Sequence, residues 1–188
     1  MQNTEFQIFD PKAETTGTTI AALIDAMGEF RSIGLAYLQK HEIDSPAPGK
    51  WHPLTNYMAA LRLIHEKLGE NTLFLVGTRL FKNAWPEEMQ GEFSFEQVLG
   101  MLNQAYQQNH RNGYAGEIIY NQKDDYSGEV IFDRTYCTAF DRGLLVSLSR
   151  VFEPERYSSI DAEVEITLDE TKPSRKTGGY KNHFHVTW

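Results

Sequence analysis

The sequence predicts an α+β domain, with N-terminal helices packed on a four-stranded antiparallel sheet and a helix inserted between strands two and three. Apolar residues recur at helical spacing through the first half of the chain and at period two near its end. The segments run as four helices, two strands, one helix and two strands, an order that lays helices over one face of a sheet. At 188 residues, one core can bury enough apolar surface to stand alone. The expected organisation is a leader, residues 1–19, followed by a single α+β ligand-binding domain, residues 20–188.

The leader is polar and acidic, and is expected to be loosely ordered apart from an extended piece at Phe6–Phe9. Ile20, Leu23, Ile24, Met27, Phe30, Gly34, Tyr37 and Leu38 share one face of a long first helix. Gly28 and Gly34 each weaken it by roughly 1 kcal/mol against alanine, and close packing against them would explain their presence. Asp-Ser-Pro-Ala-Pro-Gly at 44–49 is a loop by composition. Pro53 opens a second helix, with the stripe Leu54, Tyr57, Met58, Leu61, Ile64 and Leu68 and a stop at Gly69. A third carries Leu73, Val76, Gly77, Leu80, Phe81 and Ala84 and ends at Pro86. The fourth opens on the capping-box pattern Ser94-Phe95-Glu96-Gln97 and breaks near Asn112-Gly113.

Glu117–Asn121 and Gly128–Tyr136 read as two strands around a polar turn. Phe140, Leu144, Leu145, Leu148, Val151 and Phe152 form one more amphipathic helix, which Thr138 with Asp141 could cap. Ile160, Ala162, Val164, Ile166 and Leu168 then alternate with polar residues, as do Phe184, Val186 and Trp188. That alternation belongs to a sheet covered on one side, with a hairpin through Pro173–Gly179.

The formal net charge of −8 argues against nucleic acid or an anionic membrane as partner, since both need a basic face. A small basic patch does occur between Lys172 and Lys181. The single cysteine, Cys137, allows no intramolecular disulfide. No signal-peptide pattern is visible and no apolar run approaches the ~20 residues of a membrane span. A cytoplasmic location is the expectation.

Three phrases carry a resemblance. The first is Gly49-Lys50-Trp51-His52-Pro53 before a helix, with Leu68-Gly69 and Thr72-Leu73-Phe74-Leu75-Val76-Gly77. The second is Ala105-Tyr106-Gln107-Gln108-Asn109-His110-Arg111-Asn112-Gly113 before the first strand. The third is Arg134-Thr135-Tyr136-Cys137-Thr138-Ala139-Phe140-Asp141-Arg142-Gly143-Leu144-Leu145, with the closing Phe-His-Val-Thr-Trp strand. In order and spacing, over about three quarters of the chain, they resemble the superfamily of haem nitric-oxide/oxygen-binding domains, vinyl-four-reductase ligand-binding domains and TRAPP vesicle-tethering subunits. The likeness is greatest to its haem-free bacterial branch.

The resemblance implies a pocket between helices and sheet for a small apolar or amphipathic ligand. It also implies a homodimer that signals by changing shape for a partner protein. Haem-binding members place a Tyr-x-Ser-x-Arg stretch on the strand before the last long helix. Here Arg134-Thr135-Tyr136-Cys137-Thr138 lacks that spacing, and His110 falls at a helix end where the family's proximal histidine lies within the helix. No cofactor is therefore expected, and haem is the disfavoured alternative. Vinyl-four-reductase relatives often carry cysteines in the last hairpin, where this chain has His183.

The candidate ligand-binding residues are Trp51, Tyr57, Phe74, Phe81, Tyr106, His110, Arg134, Cys137 and Arg142. The aromatic ones, with Trp85, serve equally as core or as pocket lining. His110 and Arg111 suit a helix C-terminus on dipole grounds, but could also meet an anionic ligand. Arg134 and Arg142 can pair with Asp133 and Asp141 or bind a carboxylate beside a helix N-terminus. Cys137 reads first as a small buried hydrophobe, then as a thiol lowered by that N-terminus.

His183 and His185 share one strand face, near Asp161, Glu163 or Glu165 if the last strands pair. They suit cross-strand His–carboxylate contacts better than a zinc or iron site. Nucleotide-loop, hydrolase, metalloprotease and Cys-x-x-Cys motifs are absent. A sensory or adaptor module leads. A haem- or metal-dependent sensor or enzyme on His110 or His183/His185, and a TRAPP-like assembly subunit, are the alternatives.

Overall fold

A computed structural model describes residues 2–84, 92–152 and 164–188. Strand β1 (Glu14–Thr16) leads into helix α1 (Gly17–Ala26), where the Thr16 hydroxyl accepts from the Thr19 amide at 3.2 Å. The expected long first helix is in fact two. Gly28 takes φ +57°, which a right-handed helix cannot continue through, so a short 3-10 turn at Gly28–Phe30 separates α1 from α2 (Arg31–Lys40). Phe30, placed on the buried stripe by spacing, is consequently 47% exposed. The short β2 (Trp51–Pro53) precedes α3 (Leu54–Leu68), which buries Leu54, Tyr57, Met58, Leu61 and Ile64.

Helices α4 (Glu70–Ala84) and α5 (Phe95–Gln108) follow. The expected capping box opens α5: the Gln97 amide donates to the Ser94 hydroxyl at 3.2 Å, and the Ser94 amide to Gln97 Oε1 at 2.8 Å. Then come β3 (His110–Arg111), β4 (Gly116–Asp124), β5 (Ser127–Arg134), α6 (Thr138–Val151), β6 (Glu165–Leu168) and β7 (Asn182–Thr187). The main sheet has the antiparallel order β4-β5-β7-β6. Ile118, Val130, Phe132, Phe184, Val186 and Ile166 turn inward under the helices. Each fully buried side chain of this size contributes about 1.5–3 kcal/mol. The α+β architecture with a helix between the second and third strands of this sheet is the one predicted.

A second sheet, β2-β1-β3, was not anticipated. Its strands have two or three residues each, too few to show a period. The segment set apart as a leader joins the body over its described residues. Phe6 is 5% and Ala13 0% exposed, and the Phe6 amide donates to the Thr135 carbonyl at 3.0 Å. Thr138 does not cap α6 through its own side chain. Glu5 Oε1 reaches back to accept the Thr138 amide at 2.8 Å, and the Thr138 hydroxyl bonds to Asn182 instead. Of the predicted third strand only Glu165–Leu168 is a strand among described residues. Ile160, Asp161, Ala162 and Glu163 lie outside them, as do Trp85 and Pro86.

Helices α4 and α6 cross at backbone contact. A Cβ on Gly77 would stand 2.7 Å from the Phe140 carbonyl oxygen, and one on Gly143 would stand 2.3 Å from that of Phe74. No other residue type permits this approach.

Candidate functional site

A cavity of about 220 Å³ lies between α1, α3, α4, α5 and α6 and the sheet. Its mouth is at the exposed Thr18 and Ala105, between the first turn of α1 and the last of α5. Tyr57 comes from α3, Phe81 from α4, Tyr106 from α5, His110 from β3 and Arg134 from β5, so five of the predicted residues meet here. Leu23, Leu102, Ile118, Tyr136, Phe140 and Leu144 supply most of the remaining wall, and spacing alone had not separated them from core.

The other predicted residues lie elsewhere. Trp51 sits in the small sheet with the Arg111 guanidinium 4.3 Å over its ring. Phe74 lies outside the cavity beneath the exposed Arg142, 5.8 Å away. The Cys137 backbone caps α6 while its side chain is 1% exposed, and burial pushes the thiol far above its ordinary range. That opposes the reactive-thiol alternative.

His183 and His185 lie on the outer face of the main sheet. Their partners among the described residues are Glu129, 3.0 Å from His183 Nδ1, and Asp169, 3.5 Å from His185 Nε2; the expected Glu165 is not one of them, and Asp161 and Glu163 lie outside the described residues. The Lys172 ammonium bridges Glu129 and Asp169 at 2.7 and 3.2 Å, and with the His183 bond it holds Glu129 down at about 2. Among described residues no group of three His, Cys, Asp or Glu is placed to hold a metal ion.

Three polar groups define the cavity. Arg134 is 4% exposed and sends Nε and Nη2 to Asp141 Oδ1 at 2.9 and 2.6 Å. Asn182 Nδ2 donates to the other Asp141 oxygen at 2.8 Å. The guanidinium carbon also lies 4.6 Å from the Phe132 ring and 4.7 Å from that of Tyr136. The charge is thus paired inside the protein, through Nε and Nη2.

His110 Nδ1 is 2.8 Å from the Tyr106 carbonyl oxygen, which can only accept. Nδ1 therefore carries the hydrogen, and Nε2 is a buried lone pair with no partner. Burial lowers the imidazole to about 4, with the charge on Arg134 acting in the same direction, so the ring is neutral at ordinary pH. The Tyr57 hydroxyl, on a side chain 0% exposed, is likewise without a partner, and burial pushes it well above 10. The Tyr106 hydroxyl, by contrast, donates to the Ala115 carbonyl at 2.7 Å.

Two larger grooves, about 570 and 750 Å³, run along the N-terminal segment and the outer side of α3. No buried side-chain atom found without a partner among the described residues lines either groove.

No protein-family profile matches the sequence, and no curated protein is similar to it. Solved structures do share its fold. One, an oxygen-binding H-NOX domain related to soluble guanylate cyclases, superposes with a TM-score of 0.65 at 15% identity, over 92% of this chain and 94% of that one. A second, described by protein-induced porphyrin distortion that modulates haem redox potential, gives 0.65 at 15% over 92% and 99%. An H-NOX protein from S. oneidensis gives 0.64 at 13% over 92% and 95%. The chain therefore has the H-NOX-like fold.

These neighbours bring haem into question, and the residues of this cavity do not fit it. The space of about 220 Å³ falls below the ~300–1,000 Å³ of pockets for drug-sized molecules, and a porphyrin is larger still. Among the described residues Arg134 is the one Arg or Lys lining the cavity, and its charge is spent on Asp141 instead of on a propionate. His110 is the one imidazole among the described lining residues, and its Nε2 has the character of a haem ligand.

Proposed function

We propose that this chain is a small-molecule-binding sensory module that acts through a partner protein. The observation that carries the reading is the cavity itself, apolar in most of its wall and lined by two residues, Tyr57 and His110, that each keep a buried polar atom without a partner among the described residues. Buried polar groups normally have one, and a ligand that supplies partners recovers what they lost on leaving water. The H-NOX-like fold is consistent with a sensory role but does not by itself assign one. Occupancy would shift the helices against the sheet, and the partner would read the shift.

A broad thermal-shift screen tests the reading, with Ala105→Trp as the blocked control. A ligand at 100 times its Kd stabilises by about 2.7 kcal/mol, and that gain should vanish in the blocked variant. No stabiliser across a chemically broad set would overturn the reading. Titration with haem, followed at its Soret band, belongs to the same experiment. A saturable one-to-one band dependent on His110 would replace this reading with a haem sensor.

A further inference from the structure

We propose that the cavity's occupant is an uncharged, ring-sized molecule carrying both a hydrogen-bond donor, for His110 Nε2, and an acceptor, for the Tyr57 hydroxyl. This rests on the binding reading above and narrows its ligand.

Size comes first. A dry cavity of about 150 Å³ accepts benzene. About 220 Å³ therefore leaves room for one further small ring or a few atoms. The walls suit a flat apolar body, since Phe81, Tyr106, Tyr136 and Phe140 all contribute.

Charge comes second. Asp141 already holds Arg134 at 2.6 Å and takes a bond from Asn182 at 2.8 Å. An anionic ligand would meet a guanidinium whose charge a secured carboxylate already neutralises. A cation would find no carboxylate among the described lining residues. An ion entering such a site without a counter-charge leaves water at great cost.

Polarity comes third. The Tyr106 carbonyl fixes the hydrogen on His110 Nδ1, so Nε2 is acceptor only. The ligand must bring an N–H or O–H to it. The Tyr57 O–H has no acceptor among the described residues, so the ligand must bring a lone pair as well. Azoles, lactams and hydroxyl-bearing rings meet both demands; hydrocarbons and carboxylates do not.

Calorimetry on the full chain tests the class with four probes of similar shape: indazole, 1-methylindazole, indane and indazole-3-carboxylate. Indazole should bind, with 1-methylindazole and indane weaker by about 10-fold or more, the size of one lost hydrogen bond, and the carboxylate weakest. Tyr57→Phe removes only an atom without a protein partner, so the fold should persist. It should weaken indazole about 10-fold and leave indane unchanged. His110→Asn keeps an amide for the Tyr106 carbonyl but lacks Nε2, and should erase the preference for indazole over its methyl derivative. Equal binding of indazole and indane, or a preference for the carboxylate, overturns the class while leaving a binding cavity. Silence from all four also overturns the class, and the binding reading itself falls only if the broad screen is empty too.

Discussion

Arg134 and Asp141 meet at 2.6 Å with side chains 5% and 0% exposed, so the most deeply buried ion pair among the described residues is shut away from water beside the cavity. Removing one partner strands the other. Asp141→Ala should cost about 3–5 kcal/mol in urea unfolding, while the double change Arg134→Met, Asp141→Leu should cost clearly less. A loss below about 1 kcal/mol in the single variant would mean that Arg134 escapes to solvent.

Glu5 ties the N-terminal segment to the start of α6 through one bond of 2.8 Å to the Thr138 amide. A carboxylate there also faces the positive end of the helix dipole. Glu5→Ala should lower stability by about 1–2 kcal/mol and Glu5→Gln by less, since the amide oxygen still accepts. Equal losses in the two would assign the effect to packing instead.

Gly143 and Gly100 offer a matched comparison inside helices. A methyl on Gly143 meets the Phe74 carbonyl at 2.3 Å, whereas one on Gly100 meets nothing within 4 Å. Gly143→Ala should destabilise by about 1–3 kcal/mol. Gly100→Ala should stabilise by up to about 1 kcal/mol. Thermal melts of the two variants should shift in opposite directions.

His110 predicts a pH dependence with a defined sign. Its imidazole titrates near 6.5 in the unfolded chain and near 4 in the folded one. Between these values the unfolded state holds the extra proton, so stability falls as pH drops from about 6.5 to 4 and this loss levels off below. Urea midpoints across that range should slope for the parent and slope less for His110→Asn. Glu129, near 4.5 in the unfolded chain and about 2 in the folded one, adds a loss of the same sign only from about pH 4.5 downward, so the His110 slope is read above that.

The parts of the fold legible in the sequence are those whose causes are local. Ser94 and Gln97 mark the start of α5 because both bonds of the box lie within four residues. The alternation of Phe184, Val186 and Trp188 follows from a sheet with one covered face. The break at Gly28 was hidden, since a helix tolerates glycine at modest cost. Its positive φ accompanies a distant contact, with Arg79 Nη1 reaching the Ala26 carbonyl at 3.3 Å. The site divides in the same way. Spacing placed Tyr57 and Tyr106 on buried stripes, but no spacing records that one hydroxyl has a partner and the other has none. Trp51 and Phe74 look equally suited to the cavity in the sequence, yet they lie outside it against Arg111 and Arg142. Arg175, 0% exposed and bonded to the carbonyls of Thr4, Gln7 and Tyr180, gave no signal because all its partners are backbone.

The Gly77–Gly143 crossing turns α4 and α6 into one stiff plate. With carbonyl oxygens seated where side chains would otherwise cushion the joint, neither helix can slide along the other without collision. Leu80 and Phe81 on one helix, and Phe140 and Leu144 on the other, therefore form a single wall of the cavity. Thrust from an occupant is not dissipated between the two helices. The plate rests on α1 and α3 through α4, and on β6 and β7 through α6.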